Sequence, residues 1–149
     1  MAAQAWKVYN KAKKGIGNGT IPLSGTHWRA SLFTSASNFA TLTLSTYASL
    51  TNEVTSVAAS YSSSGKALTS SSWSVGASAK QYAFKVGNVF WSALTQIANI
   101  KGIVIWQSGA SANARRVLAT ASLTASQFNL AAGNRLTVAI NAAGVFTVV

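Results

Sequence analysis

His27 is the single imidazole and Glu53 the single acidic side chain of this 149-residue chain. General acid–base catalysis needs two titratable groups tuned apart, and this pair is the only imidazole–carboxylate combination on offer. A paired-carboxylate glycosidase mechanism lacks its second carboxylate. A Ser-His-Asp triad lacks its Asp, and with no Cys there is no thiolate nucleophile, disulfide or thiolate metal ligand. Zinc, calcium and magnesium sites draw on several His, Cys, Asp or Glu side chains, which this composition does not supply. His27, beside Trp28, reads as an ordinary strand residue. Glu53 reads as a surface or capping group, or as the partner of one nearby cation. The chain is therefore expected not to be an enzyme and to carry no metal or cofactor.

The remaining chemistry is that of cations. Twelve Lys and Arg stand against the one acid, a formal net charge of +11. Internal salt bridges can hardly form, so the polar surface must be built from Ser, Thr, Asn, Gln and Ala, a surface suited to packing against other protein. The positive field calls for an anionic partner: nucleic acid, a membrane, or acidic protein. The densest cationic stretch holds Trp6, Lys7, Tyr9, Lys11, Lys13 and Lys14. Arg115-Arg116 is the best small spot outside it, with a strand end at the surface as its plain alternative. These eight residues are the candidate partner-binding set. Tyr82, Phe84, Lys80 and Lys85 form a further basic–aromatic group.

Cations interleaved with aromatics suit phosphates and stacked bases. Here, however, the aromatics fall on the apolar stripe of a helix and the apolar face of a strand, where a core wants them. No RNP-type, KH or zinc-finger signature appears. Gly15-Ile16-Gly17-Asn18-Gly19 is glycine-rich beside lysines, but a P-loop needs a strand before it, a helix after it and a Gly-Lys-Ser/Thr ending. A turn that ends a helix explains it better.

The elements that must position these residues follow from periodicity. Residues 2–16 read as one amphipathic helix: Ala5, Tyr9, Ala12 and Ile16 recur at helical spacing, and Lys7, Lys11 and Lys14 fall opposite, with Lys13 near them. Gly15, Gly17, Asn18 and Gly19 end it. Trp28, Ala30 and Leu32 alternate with Arg29, Ser31 and Phe33, a strand over 27–34. Thr41 to Val57 reads as a long connection with one helical turn, and Tyr61 to Lys66 as a polar loop. Strands are then expected at 68–75, around Tyr82, Phe84 and Val86, from Val89, over 115–121, at Phe128 and Leu130, over Leu136, Val138 and Ile140, and over 145–149. Turns separate them at 76–78, 107–113, Gly133-Asn134 and 141–144. Ile100 to Gln107 carries Ile103, Val104, Ile105 and Trp106 in a row. It is apolar on both faces, so it reads as a central strand covered on both sides.

A hydrophobic fraction of 49% is ample for a core, and 149 residues suit one domain. The expected fold is all-β: an antiparallel β-sandwich or jelly-roll-like body over 20–149, with the N-terminal helix and turn over 1–19. Residues 1–9 lack the apolar core of a signal peptide, and no stretch approaches the roughly 20 apolar residues of a membrane span.

The stretch Tyr9-Asn10-Lys11-Ala12-Lys13, then Ile16-Gly17-Asn18-Gly19-Thr20-Ile21, then the strand Trp28-Arg29-Ala30-Ser31-Leu32-Phe33, resembles small virion structural proteins of tailed bacteriophages. The Tyr61–Lys66 loop and the Gly133-Asn134 turn fit the same pattern. The likeness spans most of the chain, and its motifs are architectural, not catalytic. It implies a β-rich virion protein present in many copies, with major capsid or other virion proteins as partners and homo-oligomers as its form. Head decoration or cement is the first expectation, and a tail or neck component the next. A sequence-independent nucleic-acid-binding module and a carbohydrate-binding sandwich are the alternatives.

Overall fold

The structure is a computed structural model that describes residues 5–25, 27–76, 81–109, 114–140 and 143–148. Expectations on residues 2–4, Lys80, Val149 and the turn residues 77–78, 110–113 and 141–142 lie outside these. The described residues form a mostly β molecule with one α-helix, and every strand pairing is antiparallel.

The largest sheet has five strands. Its middle strand is β8 (Gly102–Gln107), with β2 (Trp28–Phe33) on one side and β9 (Val117–Ser122) on the other. The edges are β3 (Lys66–Ala67) and β1 (Lys7–Val8). The central placement expected for the Ile103–Trp106 run holds, and all four residues are at most 1% exposed. Continuous apolar sequence marks a strand with no solvent face. Strand alternation sorts the two faces. Gly102, Val104 and Trp106 lie with Phe33, Ser31 and Arg29, while Ile103 and Ile105 lie with Leu32, Ala30, Ala121 and Ala119.

A different layer covers each face. On the first, Phe39 packs so closely over Gly102 that a Cβ there would meet the ring at 2.3 Å. Tyr47 packs over Trp106, ring centroids 4.3 Å apart. Both come from the connection 34–61, which holds one short 3-10 turn, Tyr47–Ser49. Serine, threonine and asparagine stitch that connection in place of regular ladders: Asn38 Nδ2 donates to the Ser49 carbonyl and Asn52 Nδ2 to that of Ala36. On the second face, Trp28 meets Phe84 edge-on at 5.3 Å. Phe84 belongs to β5 (Tyr82–Lys85), the middle of a three-stranded sheet with β4 (Ser72–Val75) and β12 (Phe146–Val148). Two further two-stranded sheets pair β6 (Val89–Ser92) with β11 (Arg135–Val138), and β7 (Ile97–Ile100) with β10 (Phe128–Leu130).

Three local expectations are corrected. The helix α1 spans Asn10–Gly17, not 2–16. Lys7 and Val8 are extended and pair with Thr120 and Ala119, and the Tyr9 amide continues the ladder to the Leu118 carbonyl at 3.0 Å. The open edge of β9 offers unmet backbone groups, and satisfying them outweighs one more turn of a short helix. Gly15 and Gly17 lie inside α1; Asn18 caps it and Gly19, at φ 73°, takes the left-handed turn. The strand expected over 68–75 begins only at Ser72: residues 68–71 lie between β3 and β4, and Ser70, at φ 55°, departs from extended backbone. Ile100 ends β7 instead of opening the central strand. Asn99, at φ 60°, makes an irregularity within β7 opposite β10, its amide held by Asn129 Oδ1 at 2.8 Å, and Lys101 separates β7 from β8.

Candidate functional site

Among the described residues, the cations do not form one surface. In α1 a step of three residues keeps Lys11 and Lys14 on one face, and a step of two sends Lys13 to another. Lys11 and Lys14 line a cleft of about 540 Å³ whose far wall is Ser45, Thr46, Ala114 and Arg116. Ala12, Ile21 and Val117 add apolar surface. Lys13 instead lines a smaller apolar groove with Val8, Ile16 and Phe146. Lys7 is exposed on β1.

Two connections hold the cleft's far wall. Thr46 bridges to Arg116, and the Tyr47 amide donates to the Arg115 carbonyl at 2.8 Å. Arg116 Nη1 donates to the Thr20 carbonyl at 2.7 Å, which ties the guanidinium to the segment leaving α1. Gly15 lets Ile21 fold back onto the helix, since a Cβ there would meet Ile21 Cδ1 at 2.6 Å. The helix, the segment behind it and the strand entry are thus fixed together, with three cations converging.

Arg115 and Arg116 separate as neighbours on extended backbone do. Arg116 is exposed, while Arg115 turns inward, its Cζ 5.3 Å from the Trp106 ring centroid and 5.9 Å from that of Tyr47. Tyr9 is fully buried, and its hydroxyl donates to the Phe39 carbonyl at 2.6 Å. Of the two roles open to it, body or neighbour, it packs into the body. Trp6 is half-buried against the same core. Phe84 is likewise core, and Tyr82 stays exposed beside Trp73.

Glu53, expected as a surface or capping group or the partner of a nearby cation, feels Arg115 but is held chiefly by two tyrosines that its sequence neighbourhood does not announce. It bridges to Phe33 and turns its carboxylate under the connection that covers the sheet. Tyr61 donates to Oε1 at 2.6 Å and Tyr47 donates to Oε2. Ser31 Oγ lies 3.1 Å from the Tyr47 hydroxyl and accepts from Trp106 Nε1 at 3.0 Å. Tyr61 also accepts from the Leu32 amide at 2.9 Å. Burial pushes the Glu53 carboxyl above the usual carboxylate range, against the lowering pull of its hydroxyl partners and Arg115. Burial first, and then Glu53 itself, pushes both phenols up. Spacing of Tyr47, Glu53 and Tyr61 carries no motif, so only the fold reveals this cluster.

His27 is half-buried, its Nε2 3.2 Å from the Pro22 carbonyl and its ring 5.2 Å from Trp28, as a residue flanking a strand. Among the described residues, the cleft lining holds neither a carboxylate nor an imidazole to activate Ser45 or Thr46. What the cleft can do is hold an anion. Lysine ammonium groups act as point charges, and the remaining guanidinium donors of Arg116 match a carboxylate or phosphate.

The chain matches no protein-family model, no curated protein and no solved structure at a significant level. Among the described residues, no helix is long and apolar enough to cross a membrane.

Proposed function

We propose that this protein is a structural component of a tailed-phage virion. In this reading it is a capsid decoration or cement protein that attaches in many copies to an acidic surface of the major capsid protein. One observation carries the reading. The only acidic side chain is enclosed by Tyr47 and Tyr61, while Lys11, Lys14 and Arg116 converge on an open cleft. Such a surface attracts anions and offers its own copies no side-chain carboxylate, so like copies repel unless each sits on negative protein. Repeated over a symmetric shell, modest contacts sum to firm attachment. The finer architecture belongs to the same reading: a sandwich-like or jelly-roll-like body whose five-stranded sheet packs on the three-stranded one, supported by the Trp28–Phe84 contact.

The nucleic-acid alternative has fewer stacking platforms than the sequence promised, because Tyr9 and Phe84 are core residues. A tail or neck position uses the same physics with a different acidic neighbour. The test is addition of purified protein to capsids that lack it. Lys11→Glu/Lys14→Glu/Arg116→Glu should abolish attachment, and normal retention of that variant at moderate salt would refute the cleft's role. A tight complex with DNA or RNA that is lost steeply with salt would favour the nucleic-acid reading.

A further inference from the structure

We propose that the outer face of β6 and β11 is a second docking surface, whose occupant is an acidic protein surface presenting carboxylates around an apolar centre. The proposal rests on the reading of an acidic protein partner, and places on it a contact made by residues other than those of the cleft.

Alternation builds the face. Val89, Trp91 and Ala93 point into the core, which leaves Phe90, Ser92 and, just past the strand, Leu94 outside. Leu136 and Val138 are buried on the partner strand, and Arg135 is exposed. Phe90 is 37% and Leu94 68% exposed, two of the large apolar side chains that the fold leaves in water. A ladder needs only one apolar face, so the outer phenylalanine and leucine are not required for folding β6.

Two cations sit on that phenylalanine. Arg135 Cζ lies 3.5 Å from the Phe90 ring centroid, and Lys66 Nζ lies 4.1 Å from it. Arg135 arrives from the paired strand β11, whereas Lys66 arrives from β3, the edge of the five-stranded sheet. The Lys66 ammonium is further pinned by donating to the Phe90 carbonyl at 2.7 Å. The electron-rich faces of one ring thus hold two positive charges close together. No acidic side chain offsets their mutual repulsion, because Glu53 is taken by the two tyrosines. An external anion relieves it, and the ordering of both long side chains has already been met in the free protein.

The same geometry selects the occupant. A second copy of this chain has no side-chain carboxylate free to give. A nucleobase needs an open aromatic face, and the guanidinium lies directly over the Phe90 ring. A protein surface with glutamates or aspartates flanking an apolar residue meets both demands: carboxylates for Arg135 and Lys66, apolar contact for Leu94 and the ring edge. Aromatic and arginine centres of this kind carry much of the energy of protein interfaces.

The experiment is a titration of the 15N-labelled full chain with three probes: a short peptide alternating Glu and Leu, the same peptide with Gln for Glu, and oligo-dT of equal charge. The Glu/Leu peptide should shift the amides of Phe90, Ser92, Leu94 and Arg135. Lys66→Gln/Arg135→Gln should weaken those shifts roughly tenfold, and Lys11→Gln/Arg116→Gln should leave them unchanged. Leu94→Glu, at an exposed site that folding does not use, should abolish them without changing the melting temperature. Shifts confined to the cleft, or equal shifts with the Gln peptide, would overturn this second surface and leave the cleft standing. Response of this face to oligo-dT alone would overturn the choice of occupant. Response of this face but not the cleft would support the proposal and refute the cleft's role.

Discussion

Tyr61 accepts from the Leu32 amide and donates to Glu53, so its hydroxyl joins the connection 34–61 to the edge of β2. Tyr61→Phe keeps the ring, removes the hydroxyl that the Leu32 amide bonds to and leaves Glu53 with Tyr47 as its remaining tyrosine donor, a loss that costs about 1–3 kcal/mol. Urea denaturation should show this loss as a lower midpoint with an unchanged slope. The Glu53 carboxyl has its own pH signature. Its pKa is raised by folding, so the native state holds the proton more tightly than the unfolded chain does. That contribution is complete below the ordinary carboxylate value, about 4.3, and is lost as pH rises through the raised value. Stability should therefore decline from mildly acidic toward neutral pH, and Glu53→Gln should flatten the decline. A slope that survives the substitution would assign it to other groups. On the alkaline side, Tyr9, Tyr47 and Tyr61 are all raised, chiefly by burial. Above about 10, where unfolded phenols ionise, folding stability should fall, and these three should show phenolate absorbance only as the protein unfolds.

At the scale of elements, β8 depends on a residue that has no side chain. Gly102 leaves the space that the Phe39 ring fills, and Phe39 in turn supplies the carbonyl that receives the Tyr9 hydroxyl. Gly102→Ala must displace a buried ring, an overpacking cost of about 1–3 kcal/mol. The disturbance should spread to the contact between the connection and the N-terminal segment. Hydrogen exchange should quicken at the amides of Tyr9 and Asn10, which bond to Leu118 and Leu42, more than at those of β5. Equal quickening throughout would mean that the layer over this face is not a unit. The helix α1 is attached through the same layer, which is how a core glycine bears on a cationic cleft.

Across the whole molecule, charge is unbalanced in a way that folding does not repair. A net +11 with its one acid enclosed leaves self-repulsion on the surface. Screening shortens the reach of that repulsion to about 8–10 Å at physiological salt. The melting temperature should therefore rise as sodium chloride is added from low ionic strength, while binding to acidic partners weakens. Opposite salt trends for stability and attachment in the same preparation would be the mark of a surface built for an anion. Parallel trends would count against it.

The central strand, the β character of the chain and the cation excess were all legible in the sequence. Each is a property of composition or of a short window: an unbroken Ile103–Trp106 run, alternation over 28–33, one acid in the whole chain. Tertiary structure alone decided three other things. It turned residues 7–8 into a strand because β9 had an edge to complete. It drew Glu53 inward between two tyrosines that no local spacing relates. It also brought Arg116 to Lys11 and Lys14, and set Lys66 and Arg135 on one ring, across long stretches of chain. Local pattern fixes which face of an element is apolar, but only the pairing of distant strands determines which charges become neighbours.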